Sequence, residues 1–135
     1  MRLPEQRLWD TMRGNKPRGF VLERVENIVG DGMPDVYVQA PAVATWVELK
    51  APNPPKREST RVLGDEGLRQ SQKNWHVRAS RLALPTWILI RERRTMRMWL
   101  MSGQHADVIN SLTAAELDAG ASAKSWPEIF EVLNR

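Results

Sequence analysis

The chain has 135 residues, of which 41% are hydrophobic, and this length and content predict a single domain over residues 1–135 with a buried core. Its 20 Lys and Arg outnumber its 16 Asp and Glu, so the formal net charge is +4 at pH 7, which suits a polyanionic partner. The absence of cysteine excludes disulfides and thiolate metal sites, and no apolar run reaches the roughly 18 residues of a membrane span. We therefore expect a cytoplasmic protein with no membrane partner.

The first predicted elements are a helix and a strand. Pro4 is a favourable first helical residue, and Gly14-Asn15 should end the helix. Its apolar residues fall on one stripe: Leu8, Trp9 and Met12. A strand is predicted from Phe20 to Val29, and it carries Glu26 between apolar neighbours.

A β-hairpin is predicted next. The β-branched and aromatic runs at 36–38 and 45–47 flank a turn-like stretch at 39–42, and the midpoint between Asp35 and Glu48 falls on that stretch. Because side chains alternate along a strand, Glu48 and Lys50 should share one face while Val47 and Leu49 enter the core on the other. The two acids and the amine would then meet at one end of the hairpin.

These three residue types suit phosphodiester hydrolysis. Mg²⁺ prefers oxygen ligands and keeps several waters, so Asp35 and Glu48 are sufficient metal ligands, and Mn²⁺ should substitute. The metal lowers the pKa of a bound water, while Lys50 can orient that water or stabilise developing negative charge. The alternative is that Asp35 caps a turn and the other two residues are solvated.

A long loop and a second helix follow the hairpin. Residues 51–67 are rich in proline and basic residues without apolar periodicity, so we expect either a basic flap that grips DNA or a solvated surface loop. The next helix should bury Leu68, Trp75 and Leu82 on one stripe. The basic residues assigned to DNA contact in these two segments are Lys56, Arg57, Arg61, Arg69 and Lys73.

The last third of the chain predicts two strands and two helices. The apolar run 87–90 suits a central strand, and residues 96–101 return as an alternating strand. The basic turn between them offers Arg91, Arg93 and Arg94 to phosphates. Thr113 and Ser125 each match a helix start, so helices should occupy about 113–134 beyond a core of about 4–101.

Five sequence blocks, taken in order, carry a resemblance to a known family. They are Glu5, Arg24-Val25-Glu26-Asn27, Gly32-Met33-Pro34-Asp35, Trp46-Val47-Glu48-Leu49-Lys50 and the segment 68–75. Together they resemble the PD-(D/E)XK nuclease superfamily over about residues 4–92. Within it the chain is most similar to the small stand-alone VRR-Nuc type of bacterial viruses, which is related to Holliday junction resolvases.

The resemblance implies an α/β fold with a restriction-endonuclease-like core, in which helices flank a mixed central sheet of about four or five strands. It also implies metal ligands at Asp35 and Glu48, a catalytic lysine at Lys50 and an associated glutamine at Gln72, for which Gln70 competes. An accessory acid is implied at Glu5, with Glu26 as its competitor.

The function expected from these observations is a Mg²⁺-dependent DNA endonuclease that acts on branched DNA. The resemblance further suggests a homodimer, with apolar contacts near Trp99 or Trp126. Two alternatives remain open at the level of sequence. One is a DNA-binding module without catalysis, and the other is a sequence-specific nuclease of the restriction or homing type.

Overall fold

The computed structural model describes residues 3–25 and 32–135, and these form one five-stranded sheet covered by helices. The elements in chain order are α1 (Leu3–Gly14), β1 (Val21–Arg24), β2 (Val36–Gln39), β3 (Ala44–Lys50), α2 (Gln70–Arg81), β4 (Thr86–Arg91), β5 (Met98–Ser102), α3 (Ala114–Gly120) and α4 (Trp126–Leu133). Short 3₁₀ turns lie at Gly64–Glu66, Gly103–His105 and Ile109–Ser111. The predicted residues 26–29 of the first strand, Glu26 included, lie outside the described residues.

The sheet is mixed, with strand order β1-β2-β3-β4-β5. β3 and β4 are parallel and every other neighbouring pair is antiparallel. A parallel pair needs a long crossover, which here consists of the loop 51–69 and helix α2. The carboxyl ends of β3 and β4 therefore lie side by side at one edge, and the predicted α/β fold with a mixed sheet is confirmed.

The β2–β3 hairpin has the predicted register. Val36 pairs with Val47 and Gln39 pairs with Ala44, so the turn is centred on residues 41 and 42. The turn closes with a hydrogen bond of 2.9 Å from the Ala40 N–H to the Val43 carbonyl. Val47 and Leu49 are fully buried in the core, as the alternation predicted.

Apolar residues form one cluster on each face of the sheet. The first cluster packs α1 and α4 against the strands and contains the predicted α1 stripe, Leu8, Trp9 and Met12. The second cluster packs the loop before α2 and helix α3 against β4 and β5. Residues Ile88 and Ile90 belong to the second cluster, and Leu89 to the first, because alternate residues of β4 face opposite sides.

One packing expectation is wrong. The stripe of Leu68, Trp75 and Leu82 does not form, because α2 begins only at Gln70 and buries Gln72, His76 and Ala79 instead. Leu82 follows the last helical residue and is 66% exposed. Near the predicted dimer contact, Trp99 itself is 1% exposed and its Nε1–H donates a 2.7 Å hydrogen bond to Asp118, so only its neighbours could lie at a surface.

The loop 51–67 is anchored to the rest of the protein at residues 61–63. Val62 and Leu63 are buried in the second core cluster, and Arg61 forms a bridge with Thr113. Thr113 also begins α3 with the predicted capping box, in which the Thr113 N–H donates a 3.0 Å hydrogen bond to the Glu116 carboxylate.

Among the described residues, no helix is both long and apolar enough to cross a membrane.

His76 ties α2 to the sheet and should make stability depend on pH. Its side chain is fully buried, its Nδ1 lies 2.8 Å from the Thr86 hydroxyl, and burial lowers its pKa from 6.5 to about 4. The unfolded chain binds a proton near pH 6.5 and the folded chain does not, so this contribution to stability is lost as the pH falls from 6.5 to about 4.

We therefore expect the wild-type free energy of unfolding to fall relative to that of His76→Gln by up to about 3 kcal/mol over this interval. Urea unfolding of both proteins at several pH values measures the difference. Parallel stability curves for the two proteins would contradict the assignment.

Candidate active site

The β2–β3 hairpin brings Asp35 and Glu48 together one residue beyond the Val36–Val47 pair. The Asp35 carboxylate accepts a 2.9 Å hydrogen bond from the Leu49 N–H through Oδ2, which fixes it across the hairpin. The Asp35 carbonyl accepts a 2.8 Å bond from the Val25 N–H, so β1 holds the other side of the same residue. Asp35 is half-buried and Glu48 is only 1% exposed.

Glu48 is held in a position that disfavours its charge. Burial raises its pKa well above the usual 4.5, and the neighbouring Asp35 raises it further through repulsion and a shared carboxyl contact. The nearby charge of Glu5 adds to this effect, and among the described residues only Lys50 opposes it. The Lys50 Nζ lies 3.9 Å from Glu48 Oε2, and Lys50 is 3% exposed. Around Glu48, the carboxylates of Asp35 and Glu5 therefore outnumber the one ammonium group of Lys50.

Gln72 is the helix residue that contacts this acid pair. Its Nε2 donates a 3.1 Å hydrogen bond to Glu48 Oε2, while its Oε1 accepts a 2.9 Å bond from the Arg69 N–H at the start of α2. The two bonds fix the amide orientation and link the helix N-terminus to the carboxylate. Gln70, its competitor in the sequence, is exposed and bonds Asn74 at 2.9 Å.

Gly32 explains how α2 comes so close to the hairpin. Its φ is +84°, and a Cβ at this position would collide with the Ser71 backbone. Glycine tolerates both the left-handed conformation and the close approach. The chain can thus bend into Asp35 while the first turn of α2 packs directly against it, with Gln72 facing Glu48.

The donor set suits a hard divalent cation. Glu48 Oε1 is buried and receives no hydrogen bond from any part of the chain that the structure describes. Within residues 3–25 and 32–135 no three His, Cys, Asp or Glu side chains group closely enough to hold a metal together. Two carboxylates, one of which has an unbonded buried oxygen, are nevertheless sufficient for Mg²⁺, which takes its remaining ligands from water and substrate phosphate.

The other predicted site residues are distributed as follows. Glu5, in the first turn of α1, is close enough to repel Glu48, whereas Glu26 lies outside the described residues. Exposed basic residues predicted to bind DNA are Lys56, Arg57, Arg61, Arg69 and Arg94, while Lys73 and Arg91 are half-buried. Arg93 is a structural tie, because its Nε donates to the Ala51 carbonyl at 2.8 Å and its Nη2 to Glu66 at 3.0 Å.

An aromatic group next to the acids was not predicted. Tyr37, Trp46 and Trp75 contact one another with ring centroids 4.9 and 6.3 Å apart, and they line a cavity of about 330 Å³. The signal in the sequence is the strand period, because Tyr37 lies two residues after Asp35 and Trp46 two residues before Glu48.

No protein-family model and no curated protein sequence matches the chain. Among solved structures it is similar to Hjc of Archaeoglobus fulgidus, a Holliday junction resolvase from an archaeal hyperthermophile. The two share 14% sequence identity with a TM-score of 0.55, and the similarity covers 93% of this chain and 97% of that one. The chain therefore has the fold of this resolvase.

The crowding of acids at Glu48 yields a stability prediction. In a chelating buffer at pH 7–8, Glu48→Gln should raise the free energy of unfolding by on the order of 1 kcal/mol, because it removes a buried, repelled charge. This gain should shrink as the pH is lowered through 4.5, because below that pH the wild-type carboxyl becomes protonated in the unfolded state as well as in the folded state. Denaturant unfolding in EDTA measures it.

Added Mg²⁺ should raise the melting temperature of the wild type and leave that of Glu48→Gln unchanged, because only the former retains both carboxylates. Glu23→Gln, which alters an exposed acid on β1, serves as the control and should behave like the wild type. A Mg²⁺ effect of equal size in all three proteins would contradict the metal site.

Proposed function

We propose that this protein is a Mg²⁺-dependent endonuclease that hydrolyses phosphodiester bonds of branched DNA. The observation that carries the proposal is the convergence of Asp35, Glu48 and Lys50 at the carboxyl end of β3, with Gln72 bonded to the glutamate. The convergence occurs in a chain that has the fold of a Holliday junction resolvase.

Asp35 and Glu48 are the residues that would hold the metal. When bound, Mg²⁺ supplies an activated water and neutralises charge on the phosphate. Glu48 offers an oxygen without a hydrogen-bond donor, and a cation between the two carboxylates would relieve the repulsion that raises the Glu48 pKa. The same arrangement that is unfavourable in the metal-free chain therefore favours metal binding.

Lys50 and Gln72 both contact Oε2 of the Glu48 carboxylate, but we assign them different roles. Lys50 is nearly buried, so its ammonium sits in a poorly solvated position where it can stabilise the negative charge that develops on the phosphate. Gln72 holds Glu48 Oε2 in place and leaves Oε1 for a ligand. Gln72 is thus a positioning residue, and Lys50 is the candidate catalytic cation.

Branched DNA is the substrate class that the similarity to Hjc favours, and the formal charge of +4 suits a polyanion. The finer likeness to stand-alone VRR-Nuc proteins of bacterial viruses stays a prediction from the sequence blocks.

The decisive experiment incubates purified protein and Mg²⁺ with labelled four-way junction, flap, single-stranded and linear duplex DNA. We expect the junction to be cut fastest, and Asp35→Asn and Lys50→Ala to lower the cleavage rate by at least about 100-fold, because each removes charge stabilisation in the transition state. Glu23→Gln is the matched control and should cut normally.

Equal cutting of all four DNAs would defeat the preference for branches. Cleavage that survives Asp35→Asn would defeat the site assignment. DNA binding without cleavage in either Mg²⁺ or Mn²⁺ would favour the alternative of a module that binds DNA without catalysis.

A homodimer forms part of the proposal, because symmetric strands of a junction call for two cutting centres related by a two-fold axis. The region after α2 exposes two large apolar side chains two residues apart, Leu82 at 66% and Leu84 at 56%, which we assign to the dimer contact. We expect light scattering to give twice the chain mass of 15.5 kDa for the wild type, because it is a dimer. For Leu84→Asp we expect the mass of a single chain, 15.5 kDa. A monomeric wild type at working concentration would contradict the homodimer.

A further inference from the structure

A cavity of about 270 Å³ lies between the N-terminal turn of α1 and the turn that joins β4 to β5. Its walls include Pro4 and Arg7 from α1, Ala51 and Asn53 from the chain after β3, and Arg91 and Arg94 from the β4–β5 turn. With about 30 Å³ per water, the space would hold about nine waters, enough for one phosphate and part of its sugar.

The cavity adjoins the candidate active site through two separate elements. Ala51 directly follows Lys50, and Pro4 directly precedes Glu5. Each of these two walls therefore begins one residue away from a residue of the candidate active site. The cavity also lies beyond the carboxyl ends of β3 and β4, where open α/β sheets bind ligands.

The charge of the cavity is positive after internal pairs are removed. Glu92 is fully buried and bonds Arg97 through both carboxylate oxygens, at 2.7 and 3.1 Å. Arg93 is paired with Glu66. Arg7, Arg91 and Arg94 remain, and none of them has an ion-pair partner among residues 3–25 and 32–135.

The β4–β5 turn is built to hold its arginines in place. Arg94 and Met96 both have positive φ, 64° and 61°, which is uncommon for residues other than glycine. The conformation is maintained because Thr95 donates to Glu92 at 2.7 Å and the Arg93 N–H bonds the Pro52 carbonyl at 2.9 Å. Strain of this kind is maintained where surrounding contacts over-determine it, commonly at ligand sites.

Arg91 supplies a second indication that an anion belongs here. It is half-buried at the end of β4, and burial lowers its pKa from the usual arginine value. A half-buried guanidinium without a carboxylate partner is partly desolvated, and an anion that pairs with it offsets that cost. Guanidinium groups also match the geometry of phosphate oxygens through paired N–H donors.

We propose that Arg7, Arg91 and Arg94 bind one backbone phosphate of the cleaved DNA strand, adjacent to the scissile phosphate. This phosphate site refines the nuclease function proposed above and depends on that proposal. It divides the basic turn into two roles, because Arg93 and Arg97 maintain the turn while Arg91 and Arg94 contact DNA. It also recruits Arg7, so that α1 and the turn grip the strand from both sides.

The test combines protein variants with DNA in which single phosphates are replaced by neutral methylphosphonates. Binding to a four-way junction is measured with Ca²⁺ in place of Mg²⁺, so that cutting does not interfere. One methylphosphonate, within about two nucleotides of the cut, should weaken wild-type binding about 10-fold and leave Arg7→Ala/Arg91→Ala binding unchanged, since the variant lacks the contact.

The salt dependence provides an independent readout. Loss of one phosphate contact should reduce the slope of log K against log salt by about 1 in the double variant, although two arginines are removed. Arg18→Ala is the matched control, since it removes an exposed arginine from the α1–β1 loop, at the opposite end of β3 from Lys50. It should reproduce the wild-type pattern with every methylphosphonate.

Several outcomes would overturn the inference. Equal weakening of wild type and double variant by every methylphosphonate would show that no single phosphate is held. Stabilisation of the wild type by inorganic phosphate, lost in the double variant, without any coupling to the DNA backbone would identify a free-anion site instead. Because binding is measured without cleavage, the two proposals can fail separately. If one methylphosphonate weakens wild-type binding but not that of the double variant, in a protein that cuts no DNA, only the nuclease function is contradicted. If the protein cuts DNA but shows no such difference, only the phosphate site is contradicted.

Discussion

The buried carboxylate of Glu48 is the constraint around which this molecule is arranged. A charged side chain at 1% exposure is unfavourable unless something compensates it, and here the neighbouring charged groups are a second acid and a lysine 3.9 Å away. The surrounding structure compensates only partly, since one oxygen is left without a hydrogen bond. Incomplete compensation of this kind is expected where a ligand completes the site.

The supporting contacts all converge on the same edge of the sheet. Gln72 links the start of α2 to the glutamate, and Gly32 allows that helix to come into backbone contact with the hairpin. On the other side, Arg93 bonds the carbonyl of Ala51 and so ties the end of β3 to the β4–β5 turn. Site residues held by rigid elements on several sides keep their geometry without a bound ligand, which lowers the cost of binding one.

Much of the fold could be predicted from local patterns. The α1 stripe, the hairpin centred on residues 41 and 42, the buried run of β4 and the capping box of Thr113 each depend on neighbours within one element, and each is present. The seven-residue stripe of Leu68, Trp75 and Leu82 failed because the pattern does not say where a helix begins. A start at Gln70 turns a different face, with Gln72 and His76, toward the sheet.

The sequence by itself determined which residues could form an acid–acid–lysine group, because strand alternation and turn position follow from steric preferences of neighbouring residues. Only the tertiary structure showed that Gln72, and not Gln70, contacts Glu48, paired Arg93 with Glu66 and brought Arg7 toward the β4–β5 turn. These outcomes depend on how helices and loops pack across the sheet. Such packing is set by the summed burial of distant residues and leaves no periodic signal along the chain.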